Sequence, residues 1–140
     1  MKPASFTKLE IAIAQLRLAI TLFLEQREFI AVVTLAGAAE EILGKLVAET
    51  GQSPALTKHA ESARGMYVAM WKTDPGAKVF MDLRNRARNE VKHLRSGASF
   101  VGDIEAEAAR MLDRAVENYR LLHPRTASFI CEYERNRSKS

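Results

Sequence analysis

Phe29-Ile30-Ala31-Val32-Val33-Thr34-Leu35-Ala36-Gly37-Ala38-Ala39-Glu40-Glu41-Ile42-Leu43-Gly44-Lys45-Leu46 decides the fold. Apolar residues recur at every helical phase, so a helix here is apolar nearly all round. Such a helix lies at the centre of a core or at a subunit interface. Ala36, Gly37, Ala38, Ala39 and Gly44 let another backbone approach closely. Into this surface the sequence places Glu40 and Glu41, and a buried carboxylate is costly unless it is paired. Adjacent helical positions differ by about 100°, so one glutamate is expected to pair inside, with Arg84 or Arg88, while the other meets water. A glutamate emerging at the helix's narrow wet edge is the alternative.

Around this segment the pattern is helical throughout, with no sustained alternation of period two. A first helix starts at Thr7, where Glu10 completes a capping box, and runs to about Gln26 with much of its surface buried. The second covers about Glu28 to Thr50 and stops before Gly51. Ser53-Pro54 reads as the cap and first position of a third helix reaching about Lys72, with Tyr67, Met70 and Trp71 as core. Thr73-Asp74-Pro75-Gly76 is a clear break. A fourth helix follows from Gly76 or Ala77 to Leu94, with Phe80, Leu83, Ala87, Val91 and Leu94 as its core stripe. Residues 95–102 form a flexible connector, Asp103 caps a fifth helix ending near Leu122, and Pro124 terminates it. A short helix over 126–135 and a frayed tail over 136–140 complete the chain. The expectation is an all-α, antiparallel bundle of four to five helices in one domain, its core about residues 7–122.

With 140 residues, 47% hydrophobic and 27% charged, the composition is that of a globular protein. The longest apolar run, Phe29 to Ala39, is broken by Thr34 and is too short to cross a bilayer. No signal-peptide pattern opens the sequence, and the single Cys131 fits a reducing compartment, so a cytoplasmic location without membrane contact is expected. The net charge of +4 is uneven: residues 1–70 balance, whereas the second half carries the excess. Segment 84–95 holds Arg84, Arg86, Arg88, Lys92 and Arg95 against Glu90, enough to attract phosphate polyanions. A solvated helix face is the plainer reading of the same charges.

Arg88-Asn89-Glu90-Val91-Lys92-His93 concentrates the chemistry. A fixed cation, an amide and a group titrating near neutrality can hold a phosphate and move a proton beside it. Asn85 and Asn89 stack one turn apart, with Lys92, opposite the core stripe, as contact residues or merely solvated ones. Arg88 and His93 differ by about 140° around a regular helix, so a shared site needs a cleft between them or a second subunit. His59 and His123 are isolated, and no metal site or cofactor motif is read.

The Arg88-Asn89-(three residues)-His93 spacing on a late helix of an all-α chain resembles the signature of the HEPN superfamily. A second register, Arg84 with Asn85, resembles it with Asn89 where histidine would stand. The resemblance implies a small helical domain, often a homodimer, and a metal-independent endoribonuclease of the toxin or defence type. Arg88 would clamp the phosphate, His93 would be general base or acid, and Asn89 would orient one of them. Glu40 or Glu41 would position Arg88, with Arg84, Asn85 and Lys92 in support. It also implies, as the other outcome, a non-catalytic nucleotide- or partner-binding module, beside an antitoxin or a nucleotidyltransferase-type companion. A purely structural dimeric bundle is the third reading.

Overall fold

The computed structural model describes residues 2–93, 97, 99–123, 125 and 127–140. Leu94, Arg95 and Pro124, expected to serve as a core residue, a basic residue and a helix terminator, lie outside them. Seven helices and no strand are found among the described residues: α1 Lys8–Leu24, α2 Phe29–Glu49, α3 Ala55–Trp71, α4 Ala77–Arg84, α5 Arg86–His93, α6 Ile104–Leu122 and α7 Ser128–Arg137.

Local chemistry sets most boundaries. Thr7 Oγ1 accepts from Glu10 N while Glu10 Oε2 accepts from Thr7 N, closing the capping box of α1. Gly51, at φ +84°, follows the α2 cap Thr50, where a side chain would be strained. Asp103 caps α6 by accepting from Ala106 N. α2 packs most heavily against α6 and α1. One core holds Leu16, Ile20 and Phe23 of α1, Val32, Val33 and Leu43 of α2, Leu112 of α6, and Ile130 and Tyr133 of α7. Ala36 and Ala39 of α2 and Ala108, Ala109 and Ala115 of α6 are buried in this core, where small side chains allow helices to pack closely.

Five expectations are corrected. Ser53 is not the cap of α3: that helix begins at Ala55 after Pro54, and the Ala55 N–H is capped at long range by Asn118 Oδ1 at 2.8 Å. Met70 and Trp71 are 70% and 63% exposed rather than core, and Tyr67 is exposed with them, because α3 buries only Ala55 and Ala60. Ile11 and Leu18 likewise leave a wet side on α1. The fourth helix is two helices, broken at Asn85. The last helix reaches Arg137, where Asp113 of α6 holds the guanidinium, so 136–140 does not start as a frayed tail.

Candidate functional site

The helical run is interrupted at Asn85, and Arg114 of α6 engages the break. Arg114 is 3% exposed and donates from Nη2 to Asn85 Oδ1 at 2.8 Å and from Nη1 to the Arg84 carbonyl at 3.2 Å. A carbonyl and a side-chain amide at one helix end thus accept from the two terminal nitrogens of a buried guanidinium. Asn85 is therefore buried and does not belong to an exposed polar strip, and Leu83, expected in the core stripe, is exposed.

Glu40 is the anionic centre of this region. It is 3% exposed, with Arg88 Nη1 3.6 Å from Oε2 and Arg114 Nε 3.8 Å from Oε1. Arg114 Nε has no hydrogen-bond partner, so Glu40 meets it as charge against charge. Burial raises the Glu40 carboxyl above its ordinary range, although Arg114 and Arg88 pull it down. Burial likewise lowers the Arg114 guanidinium. Glu41, one position on, is exposed, pairs with Lys45, and lies 3.9 Å from Arg88.

Arg88 reaches Glu40 by crossing Gly37. A Cβ on Gly37 would lie 2.6 Å from Arg88 Cδ, so only glycine leaves the guanidinium stem its track. The Arg88 side chain remains 22% exposed. Asn89 faces another way, into a shallow groove with Val79, Asp82 and Arg86. Arg86 packs over the Phe100 ring and reaches the Val101 carbonyl, which ties α5 to the connector. Lys92 and His93 are exposed at the end of α5, and neither makes a hydrogen bond among the described residues.

The chain thus brings Glu40, Glu41, Arg88, Asn85 and Arg114 into one network, with the Arg84 backbone as a further acceptor. None of the clefts described among these residues is lined by Arg88, Asn89 and His93 together. Arg114 and Asn118 escaped the sequence reading. Their signal was an arginine and an asparagine one turn apart inside the apolar stripe of Met111, Ala115 and Tyr119 on α6. Asn118 Nδ2 also donates to the Glu40 carbonyl, so one residue ties α6 to both α2 and α3. His59 is not isolated: its Nε2 lies 2.9 Å from Glu117. Among the described residues, no group of three or more histidine, cysteine or acidic side chains is placed to hold a metal.

No family model, curated protein or solved structure matches the chain. No helix among the described residues is long and apolar enough to cross a membrane.

The raised Glu40 carboxyl makes a signed pH prediction. The folded state holds the Glu40 proton more tightly than the unfolded chain, whose carboxyl titrates near 4.5. The contribution of this group is therefore fully present below 4.5 and is lost as pH rises through the folded value. Wild-type stability should gain on that of Glu40→Gln as the pH is lowered from 7.5 to about 5. Urea unfolding of both proteins across that range measures the gap, and a gap that narrows in acid contradicts the assignment.

Proposed function

We propose that this chain is an HEPN-like helical domain that acts as a homodimer and cleaves RNA without a metal, using Arg88 of one copy and His93 of the other. The observation that carries the reading is the placement of Arg88. Glu40 and Glu41 hold the guanidinium at the surface through the gap over Gly37, part solvent-exposed and pre-oriented. A fixed cation of this kind binds phosphate oxygens with little ordering cost. His93, exposed on another side of α5, needs a second copy to complete the site, and a two-fold axis beside α5 supplies it.

In the proposed reaction Arg88 binds the non-bridging oxygens of the scissile phosphate. His93 of the second copy takes the proton from the ribose 2′-hydroxyl, and the 2′-oxygen attacks phosphorus. The bond to the 5′-oxygen breaks, and that oxygen takes up a proton. The products are a 2′,3′-cyclic phosphate and a 5′-hydroxyl end. DNA, which has no 2′-hydroxyl, is spared. Asn89 and Lys92 line the approach, and a toxin or defence role in the cytoplasm is the setting that fits this chemistry.

Purified protein incubated with RNA in excess chelator should give cyclic-phosphate ends and leave DNA of the same sequence intact. Intact RNA after such incubation removes the enzymatic reading. The second reading, a module that binds a partner such as an antitoxin or a nucleotidyltransferase-type protein, is favoured by the exposed apolar face of Met66, Met70 and Trp71 on α3. Intact RNA together with a stoichiometric partner in a native pull-down would select it.

A further inference from the structure

α3 buries so little that it stands off α6, and the gap is a cleft of about 380 Å³ between α3, α4 and α6. Its volume falls within the range of small-molecule sites. It contains none of Arg88, Asn89 or His93, so it is separate from the proposed cleavage site.

The lining has two characters. Phe80, Leu83 and Ala63 make an apolar wall, with Leu83 62% exposed at the mouth. Arg84, Arg110 and Arg114 supply three guanidinium groups to the same space. Two carboxylates also line it, and both are already engaged. Glu107 pairs with Arg110 at 2.6 Å, and Asp113 accepts from the Tyr133 hydroxyl at 2.6 Å and binds Arg137. Arg114 is engaged with Asn85, the Arg84 carbonyl and Glu40. The Arg84 side chain makes no hydrogen bond or ion pair among the described residues. His59, anchored by Glu117, adds a polar edge opposite.

An uncommitted guanidinium beside an apolar wall selects an anion carried on a flat, weakly polar body. Arginine favours phosphate because its planar donors match two phosphate oxygens at once. An aromatic ring offers a stacking surface to a nucleobase. We infer that this cleft binds a phosphomonoester attached to an aromatic body, of which a nucleoside monophosphate is the simplest example. Arg84 and Arg110 take the phosphate, and Phe80 and Leu83 take the base. The same group occurs on a free nucleotide and on the 5′-phosphate end of an RNA strand.

Calorimetric and NMR titration of the full chain tests this, with adenosine monophosphate, adenosine and inorganic phosphate as separate probes. Adenosine monophosphate should saturate and shift the resonances of His59 and Phe80. Adenosine and inorganic phosphate alone should each bind at least about tenfold more weakly. Arg84→Ala and Leu83→Asp should each weaken the nucleotide about tenfold. Both positions are exposed or unpartnered at the side chain, so the variants keep the wild-type melting curve. Short RNAs with and without a 5′-phosphate separate the two sources: displacement of the nucleotide by the phosphorylated strand assigns the RNA end, and none assigns the free nucleotide. Three results overturn the inference: no saturation by about 5 mM nucleotide, adenosine binding as tightly as its monophosphate, or unchanged affinity in both variants. None of these touches the cleavage proposal, which reads a different product at a different site.

Discussion

Glu40→Ala is expected to lower the unfolding free energy by about 3–5 kcal/mol, while Glu41→Ala changes it by less than about 0.5 kcal/mol. The two residues are neighbours in sequence and chemically identical, so the contrast isolates burial. Glu40 sits between two guanidinium groups, and the Arg114 side chain is only 4% exposed. Removing the carboxylate leaves a cation inside the protein with no opposite charge beside it. Asn85 Oδ1 and the Arg84 carbonyl still accept hydrogen bonds from its terminal nitrogens, but Nε already lacks a hydrogen-bond partner. Arg88 is less affected, since it can follow Glu41 into water. Glu41 itself pairs with Lys45 on an exposed helix face, where such a pair contributes little. In a chain of this size the Glu40 loss corresponds to a fall in melting temperature on the order of 10–20 °C. Thermal unfolding followed by circular dichroism measures it. A Glu40→Ala protein that melts within about 3 °C of wild type would show that the buried charges are not mutually dependent.

Where structure is set by neighbours in sequence, the chain is readable. The Thr7–Glu10 capping box, the Gly51 stop and the Asp103 cap each involve residues within a turn of one another, and each stands where the sequence places it. The all-round apolar character of α2 also gave its central position correctly, because two partner helices, α1 and α6, cover it. The unequal fates of Glu40 and Glu41 follow from helical geometry alone.

What failed depends on partners distant in sequence. A continuous helix from Ala77 to Leu94 has a sound pattern, and the break at Asn85 is stabilised by Arg114, 29 positions away. Around that break two face predictions change, since Leu83 is exposed and Asn85 is buried, whereas Ala87 and Val91 beyond it keep the core-facing positions that the pattern assigns. The start of α3 moved for the same reason, because Asn118 supplies the cap that Ser53 was expected to provide. Trp71 and Met70 misled in another way. Apolar side chains predict burial only where a second element arrives to cover them, and α3 meets α4 more than it meets α6. The site shows the same division. The pairing of Glu40 with an arginine of the basic helix was legible from the cost of a buried charge. The choice of Arg88 over Arg84 was not, since it depends on the gap above Gly37.

Mixing two inactive variants should restore RNA cleavage. If the site joins Arg88 of one copy to His93 of the other, Arg88→Ala and His93→Ala should each reduce cleavage by about 10²–10⁴-fold as homodimers. In a heterodimer of the two, one composite site loses both groups. The other keeps Arg88 from the His93→Ala chain and His93 from the Arg88→Ala chain. Equal mixing with free exchange makes about half of all dimers heterodimeric, each with one working site of two, so about a quarter of wild-type activity should return. Two features of the single chain lead to this expectation. The guanidinium is directed towards α2 by Glu40, and the imidazole stands exposed at the end of α5, about 140° around the helix. A site completed within one protomer would gain nothing from mixing. Gly37→Ala supplies the complementary case: the added methyl displaces the Arg88 stem from Glu40. Mixed with His93→Ala it should restore about a quarter of wild-type activity, because the working site takes Arg88 from the His93→Ala chain and His93 from the Gly37→Ala chain, whereas mixed with Arg88→Ala it should restore activity only to the extent that the displaced guanidinium still reaches phosphate. Recovery in the Arg88→Ala and His93→Ala mixture that stays at the level of either variant alone, with exchange verified by mass-tagged subunits, would exclude a shared site.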